Sequence, residues 1–69
     1  MRTYGSLRER IRRKFGTIGA FADALGKDRS TVSQKLNGLV SWTQDEMEAS
    51  SELLDFPRSD IPKYFFYEE

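Results

Sequence analysis

The sequence predicts an all-α fold: a compact domain of five short helices spanning the 69 residues. Three observations predict it. Apolar residues recur at helical spacing, as in Leu7, Ile11 and Phe15, and again in Val32 and Leu36. Capping and stopping residues divide the chain at short intervals, with Ser6, Thr17, Asp28, Thr43 and Ser59 where helices open and Gly16, Gly26, Asn37-Gly38 and Pro57 where they close. No stretch alternates apolar and polar residues as a half-buried strand does.

Each element has a local cause. Met1 to Gly5 precedes any apolar repeat and reads as a flexible arm, residues 1–5. Ser6-Leu7-Arg8-Glu9 fits a capping box: the Ser6 hydroxyl accepts from the third helical N–H, and Glu9 reaches back. The first helix follows the Leu7–Ile11–Phe15 stripe, with Arg8, Arg10, Arg12, Arg13 and Lys14 on its other faces, and Gly16 stops it. Thr17 caps a second helix whose inward side is Phe21, Ala22 and Leu25, Ala22 being small where the next helix crosses; Gly26 ends it. Asp28 caps a third helix, Arg29 to Leu36. Val32 and Leu36 face inward, which leaves Arg29, Ser30, Ser33, Gln34 and Lys35 largely outward before Asn37-Gly38 closes the helix.

Thr43-Gln44-Asp45-Glu46 is a second capping box and opens a fourth helix to about Leu54. Its apolar residues are Met47, Leu53 and Leu54, and Trp42 packs just before the cap. Pro57 breaks the chain. Ser59 caps a last short helix with Pro62 in its first turn and Ile61, Tyr64 and Phe65 inward. Four aromatics in a row, Tyr64 to Tyr67, exceed what the core needs; two complete it, and Phe66 and Tyr67 remain as a candidate partner or dimer surface.

Composition narrows the function. There is no cysteine, hence neither a disulfide framework nor a thiolate zinc site. There is no histidine, the commonest general base and the commonest non-thiolate metal ligand. The acids are scattered, and no Gly-rich loop precedes a Lys-Ser or Lys-Thr pair. The expectation is a protein with no catalytic residues, no metal and no cofactor, which is not an enzyme. No apolar run approaches the length of a membrane span, and the N-terminus lacks an apolar signal core, so a cytoplasmic location is expected.

Charge points toward binding. Lys and Arg number 11, as do Asp and Glu, and the net charge is zero. The distribution is uneven: residues 1–35 hold nine basic residues against three acids, and residues 36–69 hold two against eight. That asymmetry predicts a basic face that meets phosphate and an acidic end that does not. The two helices flanking Gly26 can cross so that the second enters a DNA major groove. The outward side chains of the third helix suit base edges: Arg29 matches guanine O6 and N7, Gln34 matches adenine N6 and N7, and Ser30 matches either.

At this point a family resemblance is visible. Phe21-Ala22-Asp23-Ala24-Leu25-Gly26 followed by Ser30-Thr31-Val32-Ser33-Gln34-Lys35-Leu36-Asn37-Gly38 resembles the helix-turn-helix of the lambda-repressor/Cro-like (XRE) family, here at about residues 17–37. Ser41-Trp42-Thr43, Glu52-Leu53-Leu54-Asp55-Phe56 and Ile61-Pro62-Lys63-Tyr64-Phe65-Phe66 extend the likeness to the small Cro-like and modulator-of-repression proteins of temperate, lactococcal-type phages. The resemblance implies a lambda-repressor-like helix-turn-helix domain. It implies base contacts from Arg29, Ser30 and Gln34, with Ser33 and Lys35 as further candidates, and phosphate contacts from Thr17 and Asn37. One departure stands out. The family commonly has Gln at the first position of the second helix, where it touches phosphate and braces the recognition helix; here that residue is Ile18, followed by Gly19, which implies weaker DNA binding.

The resemblance implies two functions, which can coexist, in the cytoplasm of a bacterial host. One is a regulator of a phage lysis–lysogeny switch that binds operator DNA, as a homodimer on a pseudo-palindromic site. The other is an antirepressor that pairs with the phage repressor and hides its DNA-reading surface. Zero net charge and Ile18 favour the protein target; the polar, basic third helix favours DNA.

Overall fold

The caps and apolar stripes produce the expected helices. The computed structural model describes residues 4–66, and among these it contains α1 (Gly5–Phe15), α2 (Ile18–Leu25), α3 (Arg29–Leu36), α4 (Gln44–Leu53), a 3₁₀ turn (Arg58–Asp60) and α5 (Ile61–Phe65), with no strand. The helices wrap one core with a Cα radius of gyration of 10.7 Å. Leu7 and Ile11 from α1, Phe21 from α2, Val32 and Leu36 from α3, Leu54 and Phe65 are almost wholly buried in it.

So small a domain has little interior, and aromatic rings supply much of its buried area. Phe15 and Phe21 meet edge to face at 5.6 Å between centroids, joining α1 to α2. Trp42 meets Phe65 at 5.2 Å and Tyr4 at 6.3 Å, and Phe56 stacks on Tyr64 at 4.2 Å. The Trp42 contacts tie α5 and the residue before α1 to the segment before α4, and Phe56 ties α5 to the segment after it. Among the described members of the C-terminal aromatic run, Tyr64 and Phe65 enter the core, while Phe66 stays half-exposed.

Three helices close in the same way. At α2, the Gly26 N–H donates to Asp23 O and the Lys27 N–H to Ala22 O. At α3, Gly38 donates to Lys35 O and Leu39 to Gln34 O; at α4, Asp55 donates to Glu52 O and Phe56 to Ser51 O. Each is a Schellman closure and requires a left-handed residue. Gly26 and Gly38 adopt it without steric cost, at φ +78° and +80°. At α4 the residue is Asp55, φ +59°, and the side chains of Arg10 and Lys14 hold it from α1.

The helix starts divide into those that local signals set and those they do not. Thr17 accepts from the Ala20 N–H at 3.1 Å, and Thr43 and Glu46 form both bonds of their capping box. Asp28 occupies the N-cap of α3 without a side-chain bond. The Ser6 box does not form. The helix begins two residues earlier, with Tyr4 as its N-cap at φ +53°, because the Tyr4 ring is buried against Trp42. The expected arm is thus overturned at Tyr4 and Gly5, the first a core residue and the second in α1; Met1 to Thr3 lie outside the described residues. Ser59 does not cap the last helix either. The Asp60 N–H donates to Pro57 O at 2.8 Å, and the resulting 3₁₀ turn leads into α5 with Asp60 as N-cap and Pro62 in its first turn.

The Thr43 hydroxyl bond can be deleted without touching the core. Thr43→Ala should destabilise the domain by about 1 kcal/mol. For a chain this small that lowers the melting temperature by roughly 4–8 °C, measurable by circular dichroism.

Candidate recognition interface

The inward positions of α3 set which side chains it presents. Val32, Lys35 and Leu36 are buried, three and four residues apart, so the opposite face of the helix is turned to solvent. Arg29, Ser30 and Gln34 lie on that face and are exposed, and Ser33 is half-buried beside them. Asp28, Arg29, Ser30 and Ser33 line an open groove at the start of α3. Among the described residues, neither Arg29 nor Asp28 has an ion-pair partner, so a guanidinium and a carboxylate stand side by side there.

Lys35 does not belong to this surface. Its side chain is 6% exposed; Nζ lies 3.1 Å from Glu46 Oε1 and donates to Ser41 O at 2.8 Å. Lys27, in the α2–α3 turn, reaches the other Glu46 oxygen at 3.7 Å. The expected outward role of Lys35 is overturned because a buried carboxylate on α4 needs a buried cation.

The backbone-facing candidates sit at the two helix ends. Thr17 is exposed at the N-terminus of α2, where free N–H groups favour an anion. A small concavity of about 100 Å³ beside it is lined by Arg8, Ile11, Arg12, Gly16, Thr17 and Ile18. Asn37 is exposed at the C-cap of α3. Its Oδ1 accepts from the Arg8 guanidinium at 2.8 Å, and the same guanidinium donates to Leu36 O at 2.8 Å. With Oδ1 engaged, the Asn37 amide is oriented so that its NH₂ is the group left for an outside acceptor.

Most of the basic cluster of α1 is engaged by neighbouring groups of the domain, although Arg12, Arg13 and Lys14 remain exposed. Arg8 closes the end of α3, Arg10 donates to the carbonyls of Leu54 and Asp55 at 3.0 Å each, and Lys14 pairs with Asp55. Arg13 pairs with Glu9 along the helix. Arg12 alone in this cluster has no side-chain partner among the described residues, and it lines the concavity beside Thr17. Sequence reasoning passed over Arg8 and Arg12 individually. The charge run was visible, but which of its members met α3 or α2 depends on how α1 crosses them.

The Ile18 departure also has a structural reason. Ile18 is half-buried and packs against the core, so the first position of α2 serves the interior rather than the surface. Gly19 lies beside the Arg29 side chain, and a Cβ there would meet Arg29 Cδ at an ordinary contact distance of 3.6 Å. Of the candidate partner surface, Phe66 is exposed as expected, and Tyr67 lies outside the described residues. Among the described residues no helix is long and apolar enough to cross a membrane, and no three acidic, histidine or cysteine side chains converge as a metal site would need.

A family model described as "Protein of unknown function (DUF739)" matches residues 2–68. The solved structures include a close relative: the solution structure of the modulator of repression of the temperate bacteriophage TP901-1 from Lactococcus lactis is 45% identical in sequence. It covers 94% of this chain and 88% of its own, with a TM-score of 0.83. No curated protein matches the chain.

The Glu46 cluster makes stability depend on pH. Burial pushes this carboxyl's pKa up, but the Thr43 N–H and the Lys35 ammonium outweigh it and hold the group below the usual 4.5. Asp55 is also held below its usual value, by Lys14. A carboxyl with a lowered native pKa contributes its full stability above the unfolded value and loses it as pH falls through the native one. Urea unfolding should therefore show a midpoint that is steady near neutrality and drops below about pH 4.5. Glu46→Gln should lose roughly 1–3 kcal/mol at pH 7 and show a smaller further loss in acid. An unchanged acid response in that variant would assign the pH dependence to other carboxylates.

Proposed function

We propose that this chain, which belongs to the DUF739 family, regulates the lysis–lysogeny switch of a temperate phage by acting on the phage repressor and its operators. The observation that carries this reading is the likeness to a phage modulator of repression over nearly the whole of both chains. In this reading α2, its turn and α3 work as a helix-turn-helix of the lambda-repressor/Cro-like kind. Arg29, Ser30 and Gln34 take base edges, with Ser33 beside them, and Thr17, Asn37 and Arg12 take phosphates. Two copies would serve a pseudo-palindromic operator. The reaction to be explained is binding rather than catalysis, in the cytoplasm of the host, where operator and repressor are found together.

A second reading makes the chain a purely protein-binding antirepressor that masks the repressor's DNA-reading surface. The use of its cations favours this reading. Arg8, Arg10, Lys14 and Lys35 are engaged inside the domain, which leaves Arg12 and Arg29 near the α2–α3 surface, with Asp28 opposing. DNA binding commonly draws on six or more phosphate contacts. A face with few free cations and a carboxylate suits a protein better.

A gel shift on the phage promoter region separates the readings, with this chain alone, the repressor alone, and both. A specific shift by the chain alone is the operator-binding outcome, and Arg29→Ala should then weaken it by roughly 1–3 kcal/mol. Loss of the repressor's shift, with none from the chain itself, is the masking outcome. A slower band with both proteins is joint action. No effect of any kind at micromolar concentration would sink the proposal.

A further inference from the structure

The last turn of α3 is held from two sides. Toward α4, Lys35 is fixed by Glu46. Toward α1, the Arg8 guanidinium donates through Nη2 to Leu36 O and to Asn37 Oδ1, each at 2.8 Å. The position of Arg8 follows from the packing of its helix. Leu7 and Ile11 are almost wholly buried, and Arg8 beside them is half-buried at the edge of the core. The start of α3 has no such support, because Asp28 occupies its N-cap without a side-chain bond. The reading helix is therefore anchored at its C-terminal end. Arg8 also lines the small concavity beside Thr17, so one side chain borders both backbone-facing candidates.

Asn37 is not needed to end α3. An asparagine at a helix end commonly serves by adopting the left-handed conformation. Here Asn37 stays at φ −89°, and Gly38 takes the left-handed position at φ +80°. The Asn37 backbone N–H donates to Ser33 O, within the helix. Its exposed side chain makes one hydrogen bond among the described residues, to Arg8. A guanidinium has only donors, so it decides which end of the amide is which: the oxygen faces Arg8, and the NH₂ is turned away from it. An NH₂ held in that direction has to find its acceptor outside the domain, at the end of the helix that carries Arg29, Ser30 and Gln34. Phosphate contacts fix where a reading helix lies along a duplex, and base contacts then specify the sequence.

We infer that Arg8 is a positioning residue: by holding Leu36 O and Asn37 Oδ1 together, it aims the Asn37 NH₂ at a phosphodiester oxygen of operator DNA and so sets the register of α3 on the duplex. The inference rests on the operator-binding reading of this chain. Arg8 acts here through Asn37 and not through its own charge. Both bonds come from one guanidinium nitrogen, whose two hydrogens are fixed in the guanidinium plane. A lysine keeps the charge but places a compact ammonium on a flexible stem, without that fixed pair of donors.

The test is a double-mutant cycle on operator affinity, read by fluorescence anisotropy with a labelled duplex of the phage promoter region. Asn37→Ala should weaken binding about tenfold or more, the loss of one hydrogen bond to a charged oxygen. Arg8→Lys should weaken it by a similar factor although the charge is kept. Arg8→Lys/Asn37→Ala should bind no more weakly than either single variant, since both remove the same contact. Amide spectra of the ¹⁵N-labelled variants report that each is folded. Full affinity in either folded single variant, or losses that multiply in the double variant, overturns the positioning role and leaves operator binding intact. A lowered melting temperature with unchanged affinity reduces Arg8 to a stabilising contact and overturns it as well. A chain that binds no operator DNA, alone or with the repressor, overturns the operator-binding reading and this inference together.

Discussion

One carboxylate, that of Glu46, fixes how the middle of this domain is assembled. It accepts from the Thr43 N–H at 2.8 Å and so closes the start of α4. It meets Lys35 from the last turn of α3 and Lys27 from the α2–α3 turn. Lys35 in turn donates to Ser41 O, which sets the course of the α3–α4 connection. A buried charge is tolerable only when paired and hydrogen-bonded, so these contacts are mutually required rather than independent. The consequence for α3 is rotational. With Lys35 held inward beside Val32 and Leu36, the helix can only present Arg29, Ser30 and Gln34 outward.

The uneven charge of the two halves is used in the same way. Lys14 with Asp55, Arg10 with the end of α4, and Lys35 and Lys27 with Glu46 all join the basic first half to the acidic second half. Folding thus consumes much of the asymmetry that the sequence displays. What survives on the surface is patchy and of both signs, with Arg12, Arg29, Asp23 and Asp28 on or beside α2 and α3, and Asp45, Asp60 and Lys63 around α4 and α5. A molecule of zero net charge with small opposed patches gains little long-range steering toward DNA, and its specificity must come from short-range fit.

Much of the fold was legible because its middle helices carry complete local signals. Thr17 with Gly26 bounds α2, Gly38 closes α3, and Thr43 with Glu46 opens α4, each through bonds that span no more than a turn or two. The failures share a different cause. Ser6 lost to Tyr4 because burial of an aromatic ring against Trp42, 38 positions away, outweighed a cap of ordinary worth. Ser59 lost to a 3₁₀ turn anchored at Pro57. Lys35 looked outward because lysines on helices usually are, and its partner Glu46 lies 11 residues further on in a capping box that already explained it. The candidate site was legible as far as α3's outward residues. The Arg8–Asn37 contact and the groove around Trp42 depend on helix crossings that no local pattern encodes.

The α3 surface and the aromatic surface around Trp42 are not mechanically separate. The Lys35 ammonium lies 6.0 Å from the centre of the Trp42 ring and binds the carbonyl of Ser41, the residue before it. Trp42 also packs on Phe65, from α5, and on Tyr4, the N-cap of α1. Any movement of the indole is therefore resisted by the same cluster that holds α3 in place. If a ligand at Trp42 and a ligand at α3 are coupled through this cluster, each changes the other's affinity by the same factor. The α3 surface and the aromatic surface thus share one support, because Lys35 holds α3 inward and also binds the residue next to Trp42.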